Sequence, residues 1–120
     1  MTAMTQIVPV GAVTAPRRDE TAGARWRALL EARWRDRLEE LTDLSVAFHD
    51  AAPAPGTPAH EAQRMLSRRA VVARYALAET DKALHRLATG EFGRCEDCAS
   101  DIPQARLLAE PEARYCERCA

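Results

Sequence analysis

From Asp19 to about Asp50, apolar residues recur at every third or fourth position: Trp26, Leu30, Trp34, Leu38, Leu41, Leu44 and Phe48. That spacing follows the 3.6-residue helical turn and draws one continuous stripe. Asp19 and Glu20 supply first-turn negative charge, and Asp19 or Thr21 is suited to the N-cap. Arg25, Arg27, Arg33, Arg35 and Arg37 fall largely off the stripe, among Glu31, Asp36, Glu39 and Glu40, as on a solvated helix face. The pattern stops at residues 51–58, where Pro53, Pro55, Gly56 and Pro58 cannot continue a helix. Thr57 followed by Pro58 then reads as N-cap and first helical residue. A second helical stretch runs from Pro58 to about Thr89. Met65, Leu66, Val72, Ala73, Ala76, Leu77, Ala83, Leu84 and Leu87 mark its apolar side, and Gly90 fits the position just past its end.

Two helices of similar length joined by a short loop fold back as an antiparallel hairpin. Arms of this length reach on the order of 45 Å. The pattern therefore predicts a mainly α chain in three parts. Residues 1–18 form a tail, mildly apolar around Ile7–Val13 but interrupted by Pro9 and Gly11. Residues 19–89 form a coiled-coil hairpin, with helices over about 19–50 and 58–89 and a tip at 51–57. Residues 90–120 form a small module holding every cysteine of the chain. Within that module Pro103 can start a short helix that Glu110-Pro111 ends, which would turn Leu107 and Leu108 toward the hairpin base beside Ile102, Phe92 and Tyr115.

Composition agrees with a rod more than with a globule. Charged residues make up 29% of the 120 positions and aromatics only 5%, too few for a large aromatic core. The formal net charge of −1 lacks the electrostatic footprint of a general nucleic-acid binder. No run approaches 18 apolar residues, and no basic residue precedes the apolar start, so neither a membrane span nor an export signal is expected. A cytoplasmic protein follows from that reading.

The candidate chemistry lies in the cysteines. Cys95-x-x-Cys98 and Cys116-x-x-Cys119 are separated by seventeen residues. Two CxxC turns at this separation match a tetrahedral Zn²⁺ site, each turn placing two thiolates on one side of a tight loop. Thiolates bind iron as well, so Fe(Cys)₄ is the alternative metal. Disulfide frameworks belong to secreted chains, and redox CxxC motifs come singly beside a βαβ pattern, so both fit less well. Four cysteines close the coordination sphere, which assigns one structural zinc with ligands Cys95, Cys98, Cys116 and Cys119 and no catalytic position. His49, His60 and His85 are scattered, and no enzymatic constellation appears.

The flanks of the cysteines narrow the identity. Leu84 to Cys98, with Gly90-Glu91-Phe92-Gly93-Arg94-Cys95 at its centre, resembles the entry of the DksA/TraR zinc-finger family. Ala105-Arg106-Leu107-Leu108-Ala109-Glu110-Pro111 and Tyr115-Cys116-Glu117-Arg118-Cys119 resemble its middle and its close. The resemblance implies a bacterial transcription regulator that binds RNA polymerase without binding specific DNA sequences itself. Its hairpin would enter the polymerase secondary channel and modulate initiation, often together with the alarmone ppGpp. A monomer is expected, and the tip residues Asp50, His60 and Glu61 would face the polymerase.

Three departures qualify that likeness. The Asp-x-x-Asp-x-Ala tip motif of well-known members is replaced by Ala52, Pro55 and Thr57 at the corresponding positions. Longer members continue into a C-terminal helix that helps form an alarmone site, whereas this sequence stops one residue after Cys119, which leaves ppGpp open as a partner. The glycine usual after the first CxxC is Ala99, which would be strained by about 1 kcal/mol if its φ is positive. Two other classes stand beside this reading. One is a nucleic-acid-binding zinc ribbon using Arg64, Arg68, Arg69, Arg74 and Arg86. The other is a coiled-coil adaptor or homodimer that pairs its apolar stripe between chains.

Overall fold

The computed structural model describes residues 18–48 and 53–120. It contains helix α1 (Arg18–Phe48), helix α2 (Pro58–Thr89) and a short helix α3 (Gln104–Ala109). Helices α1 and α2 hold 31 and 32 residues and so extend about 47 Å each. Toward the tip Leu44 packs with Ala70 and Ala73, while nearer the base Arg33 and Thr80 meet at a single carboxylate. As one residue number falls its partner's rises, so the pair is antiparallel. The apolar stripes thus face each other within one chain. No helix among the described residues is long and apolar enough to cross a membrane.

The seam is thin and built from small residues. On α2 the inward positions are Leu66, Ala70, Ala73, Leu77, Thr80 and Leu84, at helical spacing of three or four. Met65 and Val72, expected on this side, each stand one position and about 100° away from that register. They are 58% and 67% exposed. On α1, Leu30 and Leu44 are buried, Trp26, Trp34 and Leu41 are half-buried, and Leu38 lies at the exposed edge of the seam. The helix begins at Arg18, which puts Asp19 and Thr21 inside its first turn instead of ahead of it. Residues 1–17, and His49 to Ala52 with the tip residue Asp50, lie outside the described residues.

Both ends of α2 are closed by side-chain and backbone caps. Thr57 takes an extended conformation and its Oγ1 accepts the His60 N–H at 3.2 Å, with Pro58 next in line. Gly90 adopts φ 82°, allowing its own N–H to reach the Leu87 carbonyl and the Glu91 N–H to reach Arg86. Those paired bonds form a Schellman close, in which a residue without Cβ avoids the left-handed penalty.

After that turn the chain folds against the foot of the hairpin. Ile102, Leu107, Ala113, Cys95 and Cys116 form a buried cluster, with Trp26, Phe92, Tyr115 and Cys119 packed on it. The Trp26 and Phe92 rings sit 5.1 Å apart at a 50° tilt, so α1 joins the module through an aromatic contact. Leu108 does not join the cluster. Helix α3 presents one side inward, and Leu108, one residue beyond the buried Leu107, is 63% exposed.

Candidate metal centre and the joint with the hairpin

Each cysteine pair is shaped by backbone bonds local to it. The chain enters the first turn through Gly93, whose φ of 81° lets its carbonyl accept the Ile102 N–H at 2.7 Å. Within that turn the Cys95 N–H reaches the Ser100 carbonyl, and the Ala99 N–H reaches the Cys95 carbonyl. Ala99 adopts φ 64°, the left-handed region that its side chain disfavours. In the second turn the Cys116 carbonyl accepts from both Cys119 and Ala120. The Glu96 N–H donates to the Arg114 carbonyl at 2.8 Å and ties the two turns together.

These bonds converge the four Sγ atoms of Cys95, Cys98, Cys116 and Cys119 to within 4.8 Å of one another. Cys98 and Cys116 stand 3.7 Å apart. A disulfide would need about 2.05 Å. Four sulfurs at about 2.3 Å from a central Zn²⁺ would define tetrahedral edges of about 3.8 Å, so the donor set fits that ion. Local charge points the same way. The Cys98 backbone N–H is the main influence drawing the Cys95 thiol down to about 6. The Ser100 hydroxyl and N–H lower Cys98. Cys119 moves in the opposite direction because the sulfurs of Cys116 and Cys95 crowd it. Four sulfurs this close cannot all ionise without a cation between them, and a divalent metal removes the conflict. The centre is that of a C4 zinc finger with one structural zinc.

The residue that sequence periodicity misses is Glu112. Its side chain is only 8% exposed, yet it is charged and lies between the module and both long helices. Arg33 of α1 forks onto it, with Nε donating to Oε2 and Nη2 to Oε1, both at 2.9 Å. Thr80 of α2, itself fully buried, donates to Oε2 at 2.7 Å, and Arg37 approaches at 3.6 Å. Burial alone would raise the Glu112 carboxyl pKa, but the Arg33 and Thr80 bonds outweigh it and hold the value below the ordinary range. Arg33 and Arg37 therefore do not belong to a purely solvated helix face. They are the α1 half of a joint. The signal available in the sequence was an i, i+4 arginine pair beside the apolar stripe, together with an acid directly after a proline in the metal module.

A second, more open network flanks the joint. Arg114 lies 3.2 Å from Glu96 and 3.4 Å from Glu79, and Arg86 lies 3.6 Å from Glu96 while donating to the Glu112 carbonyl at 3.3 Å. Burial lowers the Arg86 pKa, a shift that Glu96 partly offsets. Arg86 is consequently committed inside the protein and is removed from the surface patch that a nucleic-acid reading required. The cleft beside it, about 690 Å³, mixes Asp81 and Glu96 with Lys82, His85, Arg86 and Arg114, with no nucleophile–base arrangement. At the far end His60 and Glu61 occupy the first turn of α2, where Glu61 pairs loosely with Arg64 at 3.8 Å. The structure does not bring either of them near the metal centre.

Comparison with known proteins agrees with this geometry. The family model described as prokaryotic dksA/traR C4-type zinc finger matches residues 90–120. The chain is 31% identical over 107 residues to the RNA polymerase-binding transcription factor DksA of Escherichia coli strain K12, a match spanning 84% of this chain and 70% of that protein. An uncharacterized protein of Aquifex aeolicus is 48% identical over 44 residues, which is 37% of this chain and 30% of the relative. Among solved structures, the transcription factor DksA2 of Pseudomonas aeruginosa superposes with a TM-score of 0.73 over 98% of this chain and 92% of its own, at 24% identity.

Proposed function

Because the chain belongs to the DksA/TraR zinc-finger family, we propose that it is a transcription regulator that binds RNA polymerase through the secondary channel and modulates initiation. The observation that carries this reading is the architecture itself: a two-helix rod about 47 Å long, pinned at its foot by a four-cysteine metal module. A rod of that reach suits insertion into a channel. In this reading residues 19–89 are the inserted hairpin and residues 90–120 the finger that holds it, with Cys95, Cys98, Cys116 and Cys119 as zinc ligands. Asp50, His60 and Glu61 stand at the polymerase-facing tip. The protein acts as a monomer in the cytoplasm, where its partner is.

The tip differs from that of well-known members, and the structure supplies a local role for one of the replacements. Thr57 is occupied as the cap of α2. Binding and regulatory output can therefore separate in this chain, with the hairpin docking while the tip acts differently at initiation. In-vitro transcription with the cognate RNA polymerase, run with and without this protein and with and without ppGpp, tests the reading. Association with core polymerase and altered output from at least one promoter class is the expected result. Absence of both association and any change in output would refute it.

A further inference from the structure

Glu112 stands where the metal module meets both arms of the hairpin, and its own backbone is held on either side. Pro111 before it is fully buried and fixes φ, and Ala113 after it belongs to the apolar cluster of Cys95 and Cys116. The Ala113 N–H closes the turn on the Glu110 carbonyl at 3.0 Å, and Arg86 of α2 donates to the Glu112 carbonyl at 3.3 Å. From that fixed point the carboxylate uses both oxygens. Together they accept the planar fork of Arg33 on α1, while Oε2 also accepts the Thr80 hydroxyl on α2. A fork of two N–H···O bonds fixes orientation as well as distance.

The other links between rod and module are less directional. Trp26 and Phe92 touch through apolar ring surface, whose burial attracts without direction. In the Arg86–Glu96–Arg114 network two guanidiniums share one oxygen, Oε2 of Glu96, at 3.6 and 3.2 Å. The Glu96 side chain is 39% exposed, so water competes for it. Toward the tip, Ala70 and Ala73 against Leu44 give the arms little interlock.

We propose that Glu112 is a positioning residue for the polymerase-facing tip: by gripping α1 and α2 at one carboxylate, it sets the angle at which the rod leaves the metal module. This assignment rests on the polymerase reading above and adds to it the residue that aims the hairpin. In that reading the rod enters the channel while the module holds its foot, so the angle between them decides where the tip lies. Helix α2 runs about 33 Å from Thr80 to Pro58, so a tilt of about 10° carries the tip about 6 Å. Reacting groups respond to misplacements of about 1 Å. Glu112 is buried and touches no partner, so its effect travels through the rod.

The test joins a distance to two functional readouts on the zinc-loaded full-length protein. Spin labels on non-natural residues at positions 65 and 108, both exposed, report the separation of rod and module without using the cysteines. Wild type is compared with Glu112→Gln, Arg33→Lys and Glu96→Gln. Gln offers a single acceptor oxygen, and Lys keeps the charge but cannot fork. Zinc content and helical dichroism should match wild type in all three. Both joint variants should shift or broaden the distance by at least about 3 Å and shrink the change in promoter output at least about fivefold, with core-polymerase affinity within about twofold. Glu96→Gln should leave all three readouts unchanged.

A wild-type distance in both joint variants would overturn the proposal. An equal shift in Glu96→Gln would also overturn it, by spreading the aiming over the entire base. A shifted distance with wild-type output would end the positioning role and leave the polymerase reading intact. Affinity that falls as far as output would replace that role with a plain structural one. No association by the wild type would overturn the polymerase reading and the tip role with it, a failure that the wild-type arm alone identifies.

Discussion

Glu112 holds a charge where charge is costly, and its partners explain why the cost is met. A forked arginine and a buried hydroxyl satisfy the carboxylate, while Arg37 adds a second favourable charge. Removing the carboxylate would leave the Thr80 hydroxyl only the Ala76 carbonyl of its own helix, at 3.1 Å, and leave two arginines facing a partly dry joint. Glu112→Ala is therefore expected to lower unfolding free energy by about 2–4 kcal/mol, measured by urea denaturation of the zinc form. Glu112→Gln, which still accepts from Thr80, should lose less. The same carboxyl gives a sign for acid sensitivity. Its folded pKa lies below the ordinary value of 4.5, so the native state holds fewer protons and the stabilisation is fully present above 4.5. It is lost as pH falls from there through the folded value. Glu112→Gln should flatten that part of the stability curve, and an unchanged acid limb would show that the joint carries no linkage. At Ala99 the φ of 64° costs about 1–2 kcal/mol, against about 0.5–1 kcal/mol of extra chain entropy that glycine would lose. Ala99→Gly should thus gain up to about 1 kcal/mol in the same assay, with zinc content unchanged.

At the scale of elements, the tip end of α2 is held by Thr57, which accepts the His60 N–H and donates to the Ala54 carbonyl at 2.6 Å. Thr57→Ala should cost about 1 kcal/mol, concentrated in the first turn. Amide exchange at His60 and Glu61 would then quicken while the basal half of α2 keeps its protection. Uniform loss of protection along α2 would mean that the cap supports the entire helix. This cap, the Gly90 close and the two long helices were legible in the sequence because each rests on neighbours within a few positions. Thr-Pro, a terminal glycine and a 3.6-residue stripe are local signals. The facing of individual side chains was less legible. Met65 and Val72 are as apolar as their buried neighbours, and only the register of α2 against α1 decides that they point outward. The joint was hidden more deeply still, since Arg33 and Glu112 lie 79 residues apart and no periodicity links them. The cysteine quartet was readable because its chemistry is written twice at a fixed spacing.

Considered as a whole, the described part of the molecule concentrates its burial at one end. Its largest fully buried side chains, Leu30, Thr80 and Pro111, all lie toward the foot of the hairpin, and two metal-centre cysteines belong to the apolar cluster there. The tip-ward seam rests on Leu44, Ala70 and Ala73, backed by Leu41 and Leu66. Among the described residues Leu44 is the one large buried residue in that half, and side chains this small bury little apolar area, so the rod depends on its base. Structural Zn²⁺ contributes on the order of 10 kcal/mol or more to folding, comparable to the whole stability of a small domain. Stripping zinc with a chelator at neutral pH should therefore lower helicity and the thermal midpoint together, with re-addition restoring both. The loss should reach α1 and α2 and not stop at the module, because Trp26, Arg33 and Thr80 are anchored to it through Phe92 and Glu112. A metal-free protein that keeps its long-helix dichroism and its midpoint would show that the hairpin stands alone. In that case the zinc finger would serve contact with a partner and not the positioning of the rod.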